Sequence, residues 1–415
     1  MITLEEQSQL TEGYVDKLNL RETYTSMPKE QLALNRDDDG KWWSSYYIGA
    51  SIINGKQIVV LPKLKKLDFM SLFSFALLYQ PSSEYFSSCY NICWDKEVIA
   101  NTELYDVLTP LLVMQYLNVL EKLVGKGLKR DYILLEENLH SKIRGKLKPI
   151  TNWRKNVLKE KEDYFYCQYQ VFSANIPVNR LLKKALDISL HLLGDIRSRS
   201  HNMTGLAFLS SKLKLLDAFK DIDNNVSPES VKNYKYDKLN IYYSEAIRLA
   251  KDIIKHKDNA LNDSTENRKV PQFWIDMSRL YEVYVLGILQ SYYPNQILFQ
   301  EKGSYGTQCD YLHIGEGIVL DAKYKSWYSS KETRDSHKDS MIADIREISA
   351  YARDEQLLRK FTKKDICSPI CVIIYPVQSD EYATKLESEL FMSVKNNKIK
   401  GYRDFYLLGV DLPRL

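Results

Sequence analysis

The period of the apolar positions changes several times along the first half of the chain, and each change predicts a different element. Between Lys41 and Leu61, the β-type segments YYIGASI and QIVVLP flank Asn54-Gly55, a dipeptide typical of a two-residue hairpin. From Glu103 to Val124 the apolar residues recur at helical spacing, which predicts an amphipathic helix broken early by Pro110. The charged residues 127–149 then predict a solvated surface stretch, with contact to a phosphate or an acidic protein surface as the alternative.

The middle of the chain is predicted to be mainly helical. Residues 164–172 predict a strand, and helical patterns follow at 181–193, about 206–220 and about 238–256. The polar stretch from His256 to Lys269 is typical of a linker.

The last third predicts a mixed sheet covered by helices. Residues 271–294 predict one helix with a broad apolar face. Strands are predicted in ILFQEK, CDYLHI and GIVLDA, followed by a helix from about Ser340 to Phe361 and the strands CVIIYP and YLLGVDL. The protein is therefore expected to be of the α+β, or mixed, class.

Acidic residues and a lysine are predicted to meet at the end of the strand in GIVLDAKYK. Because side chains at i and i+2 of a strand face the same side, Asp321 and Lys323 are expected to face one site. A hairpin through Gly315 and Gly317 brings Asp310 close to Asp321. Such a group can hold a hard divalent cation and direct water at a phosphodiester.

One observation supports a functional site at this strand end, and another argues against it. Glu282 lies beside the apolar stripe of a predicted helix, where a carboxylate is costly unless it is paired or bound to a metal. Taken alone, however, the D-x-K pattern is short, and a solvated strand end with an incidental ion pair explains it more readily.

Composition restricts the class of protein only modestly. A net charge of +4 over 415 residues permits nucleic-acid binding without arguing for it. The acidic, polar start and the lack of an apolar run near about 20 residues predict no signal peptide and no membrane contact. The six cysteines lack metal-ligand spacing, so free thiols in a reducing cytoplasm are expected. No G-x-x-x-x-G-K-[ST] loop is present, so any nucleotide dependence is expected to come from a partner.

Several ordered segments resemble the McrC family, the nuclease subunits of McrBC-type restriction systems within the PD-(D/E)xK superfamily. IDMSRLYEVYV, CDYLHIGEGIVLDAKYK and ADIREISAYA are similar to successive C-terminal motifs of that family. In the front half, YIGASIINGKQIVVLPKL, RDYILLEENLHSKIRGKL and FSANIPVNRLLKKAL are similar to further family segments. The resemblance covers most of residues 40–360.

The resemblance implies a division of labour along the chain. Residues 1–155 would be a β/α region that docks on a partner, 156–260 a mainly helical middle, and 261–415 a PD-(D/E)xK endonuclease domain of order α-β-β-β-α-β-β. The implied partners are a McrB-like hexameric AAA+ GTPase, which uses GTP and is stimulated by this chain, and double-stranded DNA, possibly methylated. Basic residues between Lys129 and Lys148 are the candidate contact with the motor.

The resemblance also implies roles for individual residues. By position, Asp310, Asp321, the carbonyl of Ala322 and Glu282 would hold Mg²⁺, with Mn²⁺ as a substitute. Lys323 would orient the attacking water or stabilise charge on the scissile phosphate. Together, Asp310, Asp321, Lys323 and Glu282 are the expected catalytic residues.

The chain departs from the family pattern at two positions. Cys309 replaces a proline that supplies no ligand, and Glu347 replaces a glutamine. The extra charge of Glu347 either adds a metal ligand or shifts specificity. Tyr351 is expected to contact the site or the DNA backbone, with core packing as the alternative.

Alternative functions follow from the same residues. The chain could be a non-catalytic activator of the AAA+ motor, or it could restrict unmodified sites with a different partner. An unrelated α+β protein with a chance D…D-x-K pattern is disfavoured by the ordered set of matches.

Overall fold

The computed structural model describes residues 1–20, 33–37, 39–64, 66–78, 85–94, 96, 99–197, 214–231, 241–261, 269–362, 368–377 and 397–414. The first part of the helix predicted at about 206–220 and residues 262–268 of the predicted 256–269 linker lie outside these residues. The linker prediction is wrong for its first six residues, which continue a helix that ends at Leu261. The strands are β1 (Ile2–Glu5), β2 (Leu34–Arg36), β3 (Trp42–Ser44), β4 (Tyr47–Ile53), β5 (Lys56–Leu61), β6 (Tyr90–Cys93), β7 (Ile99–Ala100), β8 (Asp131–His140), β9 (Lys146–Leu147), β10 (Tyr164–Ser173), β11 (Lys269–Val270), β12 (Gln272–Asp276), β13 (Ile297–Lys302), β14 (Gln308–His313), β15 (Ile318–Ala322), β16 (Ile370–Val377) and β17 (Phe405–Asp411). The α-helices are α1 (Glu12–Lys17), α2 (Phe69–Leu78), α3 (Thr102–Lys126), α4 (Pro149–Lys155), α5 (Pro177–Arg197), α6 (Lys214–Ala218), α7 (Ile241–Leu261), α8 (Met277–Tyr292), α9 (Lys331–Ser336), α10 (Lys338–Tyr351) and α11 (Glu355–Leu358). The predicted mixed α/β class is confirmed.

The described residues form two compact units. The first contains residues 1–114 and 259–415, and the second contains residues 115–198 and 209–258, as far as these are described. The beginning and the end of the chain therefore share one unit. The division by function at residues 155 and 260 stays a prediction.

The first sheet of unit one has the strand order β1-β5-β4-β12-β6. The hairpin predicted at Asn54-Gly55 is confirmed, since β4 and β5 pair antiparallel and both turn residues have positive φ, 48° and 73°. The helix predicted for residues 271–294 is wrong at its start, because Gln272–Asp276 form a strand between β4 and β6. A strand buried on both faces lacks polar–apolar alternation, so its sequence pattern does not separate it from the neighbouring apolar helix. The helix begins at Met277, where the Asp276 side chain accepts a hydrogen bond from Arg279 N at 3.0 Å.

The second sheet of unit one has the order β13-β14-β15-β16-β17. Its first three strands pair antiparallel and its last three pair parallel. The element order from Met277 is helix, three strands, helices and two strands, in agreement with the prediction. The helix predicted from Ser340 to Phe361 instead ends at Tyr351, because Asp354 caps a separate short helix.

Every residue of β15 is buried, as expected for a central strand. Val319 of this strand packs in a core cluster with apolar side chains from the flanking strands and from α10. The end of β15 is therefore held in a fixed place within a close-packed core.

A three-stranded sheet of order β8-β10-β9 lies in the second unit. β8 and β10 pair antiparallel over their full lengths, from Asp131 opposite Ser173 to His140 opposite Tyr164. Residues 127–149, predicted as a solvated surface stretch, thus contain a ten-residue strand whose side chains are mostly exposed. The small core of this three-stranded sheet consists mainly of Leu139, Cys167 and Tyr169.

The helix α3 runs through Pro110 without a break, so the predicted break is wrong. Nearly all of its residues around the proline are buried, and this packing holds the helix despite the missing N–H donor. By length and composition, Glu103–Lys126 is long and apolar enough to cross a membrane. However, 83% of its apolar 18-residue stretch is buried within the protein.

Candidate active site

The β14–β15 hairpin brings Asp310 next to the end of β15. Tyr311 lies opposite Leu320 in the antiparallel register, which places Asp310 and Asp321 at the same level. Gly317, at φ 69°, closes the turn, and its N–H donates to the carbonyl of His313 at 3.0 Å. Asp310 Oδ2 accepts a hydrogen bond from Ala322 N at 2.9 Å. The predicted approach of Asp310 to the strand end is confirmed.

Lys323 joins Asp321 to a residue of α10. Its Nζ lies 2.8 Å from Asp321 Oδ2 and 2.7 Å from Glu347 Oε2. The first contact confirms that Asp321 and Lys323 face the same side of the strand end. Tyr351, one helical turn after Glu347, donates its hydroxyl to Glu347 Oε1 at 3.0 Å.

Glu282 approaches from α8. Tyr311 on β14 donates its hydroxyl to the main-chain carbonyl of Glu282 at 2.7 Å, which fixes this turn of the helix against the sheet. Gln300 Nε2 donates to Glu282 Oε2 at 3.3 Å.

Burial raises the pKa of three carboxyl groups in this cluster. The pKa of Asp321 rises to about 7, chiefly through burial and then through the charge of Asp310, against the lowering effect of Lys323. The pKa of Asp310 rises to about 7 through burial and the charge of Glu282. The pKa of Glu282 also rises to about 7 through burial, while Arg279 opposes the shift. Like charges crowded into a low-dielectric place favour proton uptake, or the uptake of another cation.

The same surroundings favour the charged form of Lys323. Burial alone would lower its pKa, but Asp321 and Glu347 together raise the pKa of Lys323 above its ordinary value. Burial also opposes ionisation of Glu347, yet the hydrogen bond from Lys323 lowers the pKa of that carboxyl. These two carboxylates therefore favour the protonated, positively charged form of Lys323.

The donor chemistry of the cluster fits a hard cation. Among the described residues, no three His, Cys, Asp or Glu side chains form a complete metal-binding group. Mg²⁺ commonly uses one or two carboxylates and keeps several waters, so Asp310, Asp321 and a main-chain carbonyl are a sufficient protein contribution. The raised pKa values supply the electrostatic reason for cation uptake at this place.

Two further polar groups near this site were not predicted. Asp344 on α10 accepts from Lys325 Nζ at 2.8 Å and from the Tyr328 hydroxyl at 2.7 Å. Glu6, close to the N-terminus, accepts from the Tyr324 hydroxyl at 2.8 Å. Asp344 lies in the segment ADIREISAYA and could have been found there, but no local signal marks Glu6.

Of the remaining predictions, Cys309 is fully buried, and its thiol donates to the carbonyl of Tyr311 at 3.5 Å. The five cysteines within the described residues are free thiols, as predicted. Tyr351 is 8% exposed and belongs to the core of the second sheet, so it combines core packing with a bond to Glu347.

The fold and the site define a mixed α/β protein with an acid–lysine cluster at the end of a central strand. A family model described as "McrBC 5-methylcytosine restriction system component" matches residues 44–376, well over half of the chain. The chain belongs to this family.

Comparison with solved structures gives weaker similarities. A chain in the refined half-complex from a tetradecameric assembly of Thermococcus gammatolerans McrB AAA+ hexamers with bound McrC is 16% identical, with a TM-score of 0.39; the match covers 99% of this chain and 94% of that one. A chain in the Thermococcus gammatolerans McrBC complex is 17% identical, with a TM-score of 0.30, over 70% of this chain and 87% of that one. No curated protein matches the chain. The family assignment rests on the family model.

Proposed function

We propose that this chain is the DNA endonuclease subunit of a McrBC-type restriction complex and that it hydrolyses phosphodiester bonds with Mg²⁺. The observation that carries the proposal is the convergence of Asp310, Asp321 and Lys323 at the end of β15 in a member of this family. Glu282 completes the cluster from α8.

In this proposal Asp310, Asp321 and the carbonyl of Ala322 would hold the metal ion directly, and Glu282 would complete the site from α8 through a metal-bound water. Mg²⁺, or Mn²⁺ in its place, would supply positive charge beside the scissile phosphate and would lower the pKa of a bound water molecule. The buried carboxylates pre-arrange hard oxygen ligands, and a bound cation would offset both the burial and the mutual repulsion that raise their pKa values.

Lys323 supplies a permanent positive charge beside the reacting phosphate. Because two carboxylates raise its pKa, it remains protonated through the reaction and donates hydrogen bonds. Its contacts with Asp321 and Glu347 hold the ammonium group in position before DNA arrives. This protonation state is compatible with both predicted roles, orientation of the attacking water and stabilisation of charge on the scissile phosphate, because an ammonium group donates hydrogen bonds in each.

The second unit carries the surface that we assign to the AAA+ partner. Among the described residues of this unit, eight large apolar side chains are more than half exposed: Tyr132, Leu134 and Phe172 on β8 and β10, and Ile143, Ile150, Trp153, Val157 and Leu158. The last five lie in one segment of the chain, together with the exposed basic residues Lys142, Arg144, Lys146, Arg154, Lys155 and Lys159. We call residues 142–159 the apolar–basic segment.

A hydrogen-bond network makes the apolar–basic segment rigid. Asn156 and Asn138 exchange bonds of 2.7 and 2.8 Å, and Asn156 also donates to Asn152 at 2.7 Å. Asn152 in turn accepts from the main-chain N–H of Tyr166 on β10 at 2.7 Å. Apolar side chains exposed on a rigid support are typical of a protein-binding surface.

The remaining parts of the proposal follow from the family and not from the site. The partner is a McrB-like AAA+ hexamer that binds and hydrolyses GTP, whereas this chain binds none. The substrate is double-stranded DNA, possibly methylated, and the complex works in the cytoplasm.

The test is cleavage of methylated and unmethylated plasmid by the full chain, with and without its AAA+ partner, in GTP or ATP and Mg²⁺. We expect cutting only with partner and nucleotide, and none with Asp321→Ala. If no plasmid is cut but wild type and Asp321→Ala both accelerate nucleotide hydrolysis by the partner, the chain is an activator and the nuclease proposal is wrong.

A further inference from the structure

The backbone turns sharply where β15 ends. Lys323 N donates to the carbonyl of Ile374 at 2.8 Å, which is the last bond from this strand to β16. Two residues later, Lys325 N donates to the carbonyl of Lys323 at 2.7 Å. The side chains of Lys323 and Tyr324 consequently leave this turn in different directions, one to the acidic cluster and the other to the N-terminal strands.

Tyr324 is hydrogen-bonded to Glu6, which lies 318 positions earlier in the chain. Its hydroxyl donates to Glu6 Oε1 at 2.8 Å, and the same oxygen accepts from Lys63 N at 3.0 Å. Glu6 directly follows β1, and Lys63 lies two residues beyond β5, the neighbour of β1 in the first sheet. One carboxylate oxygen thus ties the two N-terminal strand ends to Tyr324.

Lys63 also contacts Tyr324 directly, at two points. Its Nζ donates to the carbonyl of Tyr324 at 3.2 Å and lies 4.3 Å from the centre of the Tyr324 ring. It also donates to the side chain of Gln7. The backbone and the side chain of Tyr324 are therefore both fixed from the first sheet.

Burial of the polar groups of Glu6 and Tyr324 is unfavourable for the stability of the fold. Glu6 and Tyr324 are each 2% exposed, and among the described residues Glu6 Oε2 has no hydrogen-bond partner. A buried carboxyl group with an unsatisfied oxygen gives little or no net stability compared with an apolar side chain of the same volume. What it supplies is a defined geometry for the residue that follows Lys323.

We propose that Glu6, Lys63 and Tyr324 form a clamp that positions the Lys323 ammonium group for phosphodiester cleavage. The three are positioning residues, since they act through the backbone at Lys323 and not on the phosphate. The inference rests on the proposed nuclease function. It also gives the first sheet a direct part in the active site of the second.

The size of the expected effect follows from the demands of catalysis. A misplacement of about 1 Å at a reacting group can lower the rate about 100-fold. Loss of a single hydrogen bond in the clamp allows a smaller shift, so we expect a decrease of about tenfold in kcat. The KM for DNA should not change, because the clamp does not touch the substrate surface.

The central test compares Tyr324→Phe with Tyr284→Phe in the complete complex with partner, nucleotide and Mg²⁺. Both changes remove one buried hydroxyl of the same unit, since Tyr284, 4% exposed, donates to the carbonyl of Asp411 at 3.1 Å. Equal losses of thermal stability are expected, with kcat lowered only in Tyr324→Phe. Equal kcat values for the two variants would overturn the clamp.

A second pair of variants separates geometry from folding. Glu6→Gln keeps an acceptor oxygen for the Tyr324 hydroxyl and for Lys63 N, whereas Glu6→Ala keeps none. We expect Glu6→Gln to cut within about threefold of wild type and Glu6→Ala to resemble Tyr324→Phe. If Glu6→Gln is as slow as Glu6→Ala, the hydrogen-bond geometry is not what matters.

Amide hydrogen exchange tests the clamp without reference to cleavage. The bonded amides of Lys323 and Lys325 should exchange faster in Tyr324→Phe than in Tyr284→Phe or wild type. Unchanged exchange contradicts the clamp even if DNA is cut. Faster exchange in a chain that cuts no DNA leaves the clamp standing as structure and rejects the nuclease function instead.

Discussion

The strand-end cluster in the first unit and the apolar–basic segment in the second unit are built in opposite ways. At the end of β15, ionisable groups are buried and bound to one another. In residues 142–159, large apolar side chains such as Trp153, 55% exposed, and Ile150, 72% exposed, stand in water. Each arrangement costs stability, because charges favour water and apolar groups favour the core.

The buried charges and the exposed apolar side chains are each unfavourable for stability, and they indicate two different kinds of ligand. Buried carboxylates with raised pKa values favour a small cation and the phosphate that it contacts. An exposed apolar group with basic neighbours favours a protein surface of complementary shape and charge. Under the proposed function, the first unit therefore cuts DNA and the second contacts the partner. A variant at the end of β15 should lose cutting alone, whereas a variant in the apolar–basic segment should lose cutting only through weaker partner binding.

Apart from Asp321→Ala, which should abolish cleavage, the largest effect is expected from Lys323→Ala. The change removes the positive charge between Asp321 and Glu347, so cleavage should fall by about 1,000-fold while Mg²⁺ binding persists. Stimulation of nucleotide hydrolysis by the partner should be unchanged.

The matched control for this change is Lys360→Ala, which removes a lysine paired with Glu301 in the same unit. Plasmid cleavage and calorimetric Mg²⁺ titration make the measurement. Cutting by Lys323→Ala at a rate near that of Lys360→Ala would make Lys323 a structural residue only.

The second effect is expected from Trp153→Ala in the apolar–basic segment. Removal of an exposed aromatic anchor from an interface typically costs about 2 kcal/mol, so the concentration needed for half-maximal stimulation of the partner should rise about 30-fold. The fold should be unaffected, because this side chain is 55% exposed.

Tyr305→Ala serves as the control for Trp153→Ala, since Tyr305 is a fully exposed aromatic residue of the first unit. Nucleotide hydrolysis titrated with each variant gives the comparison. Identical titration curves for the two variants would remove the second unit from the interface.

A third effect concerns stability and pH. Folding raises the pKa of Asp321 from 3.8 to about 7, so between these values the folded protein binds more protons than the unfolded chain. Stability from this group is therefore present below about pH 4 and is lost as the pH rises to about 7. In Mg²⁺-free denaturant titrations, the wild type should lose up to about 1.4 kcal/mol per pH unit relative to Asp321→Asn.

Mg²⁺ should reduce this loss in the wild type, because the ion binds the ionised carboxylates of the folded state. Asp321→Asn should respond less to the ion. Parallel pH curves for the two proteins, with or without Mg²⁺, would show that Asp321 titrates normally and would remove the electrostatic argument for the metal.

The smallest effect is expected from Glu347→Gln. The amide keeps an acceptor oxygen for Lys323 or Tyr351 but loses the charge, so we expect cleavage to change by about threefold. A loss of 100-fold or more, recovered at high Mg²⁺ concentration, would instead make Glu347 a metal ligand.

The parts of the site that were predictable from the sequence depend on local geometry. The alternation of strand side chains places Asp321 and Lys323 together, and a tight hairpin places Asp310 beside them. Glu282 was recognised because a carboxylate beside an apolar stripe is costly. All four residues lie within one contiguous stretch of the chain.

The parts that were not predictable depend on contacts between distant residues. Gln272–Asp276 form a strand only because β4 and β6 lie on either side of them. Glu6 carries no local signal, and its role arises from a bond to Tyr324. Pro110 remains within α3 because tertiary packing outweighs the local propensity of proline.

The most direct measurement records plasmid cleavage and nucleotide hydrolysis in the same reaction, with the AAA+ partner and Mg²⁺, for wild type, Asp321→Ala and Trp153→Ala. The account predicts that Asp321→Ala stimulates hydrolysis normally and cuts nothing, while Trp153→Ala loses both activities at low concentration and regains both at high concentration. If Asp321→Ala cuts at the wild-type rate, the end of β15 is not the active site and the central claim is wrong.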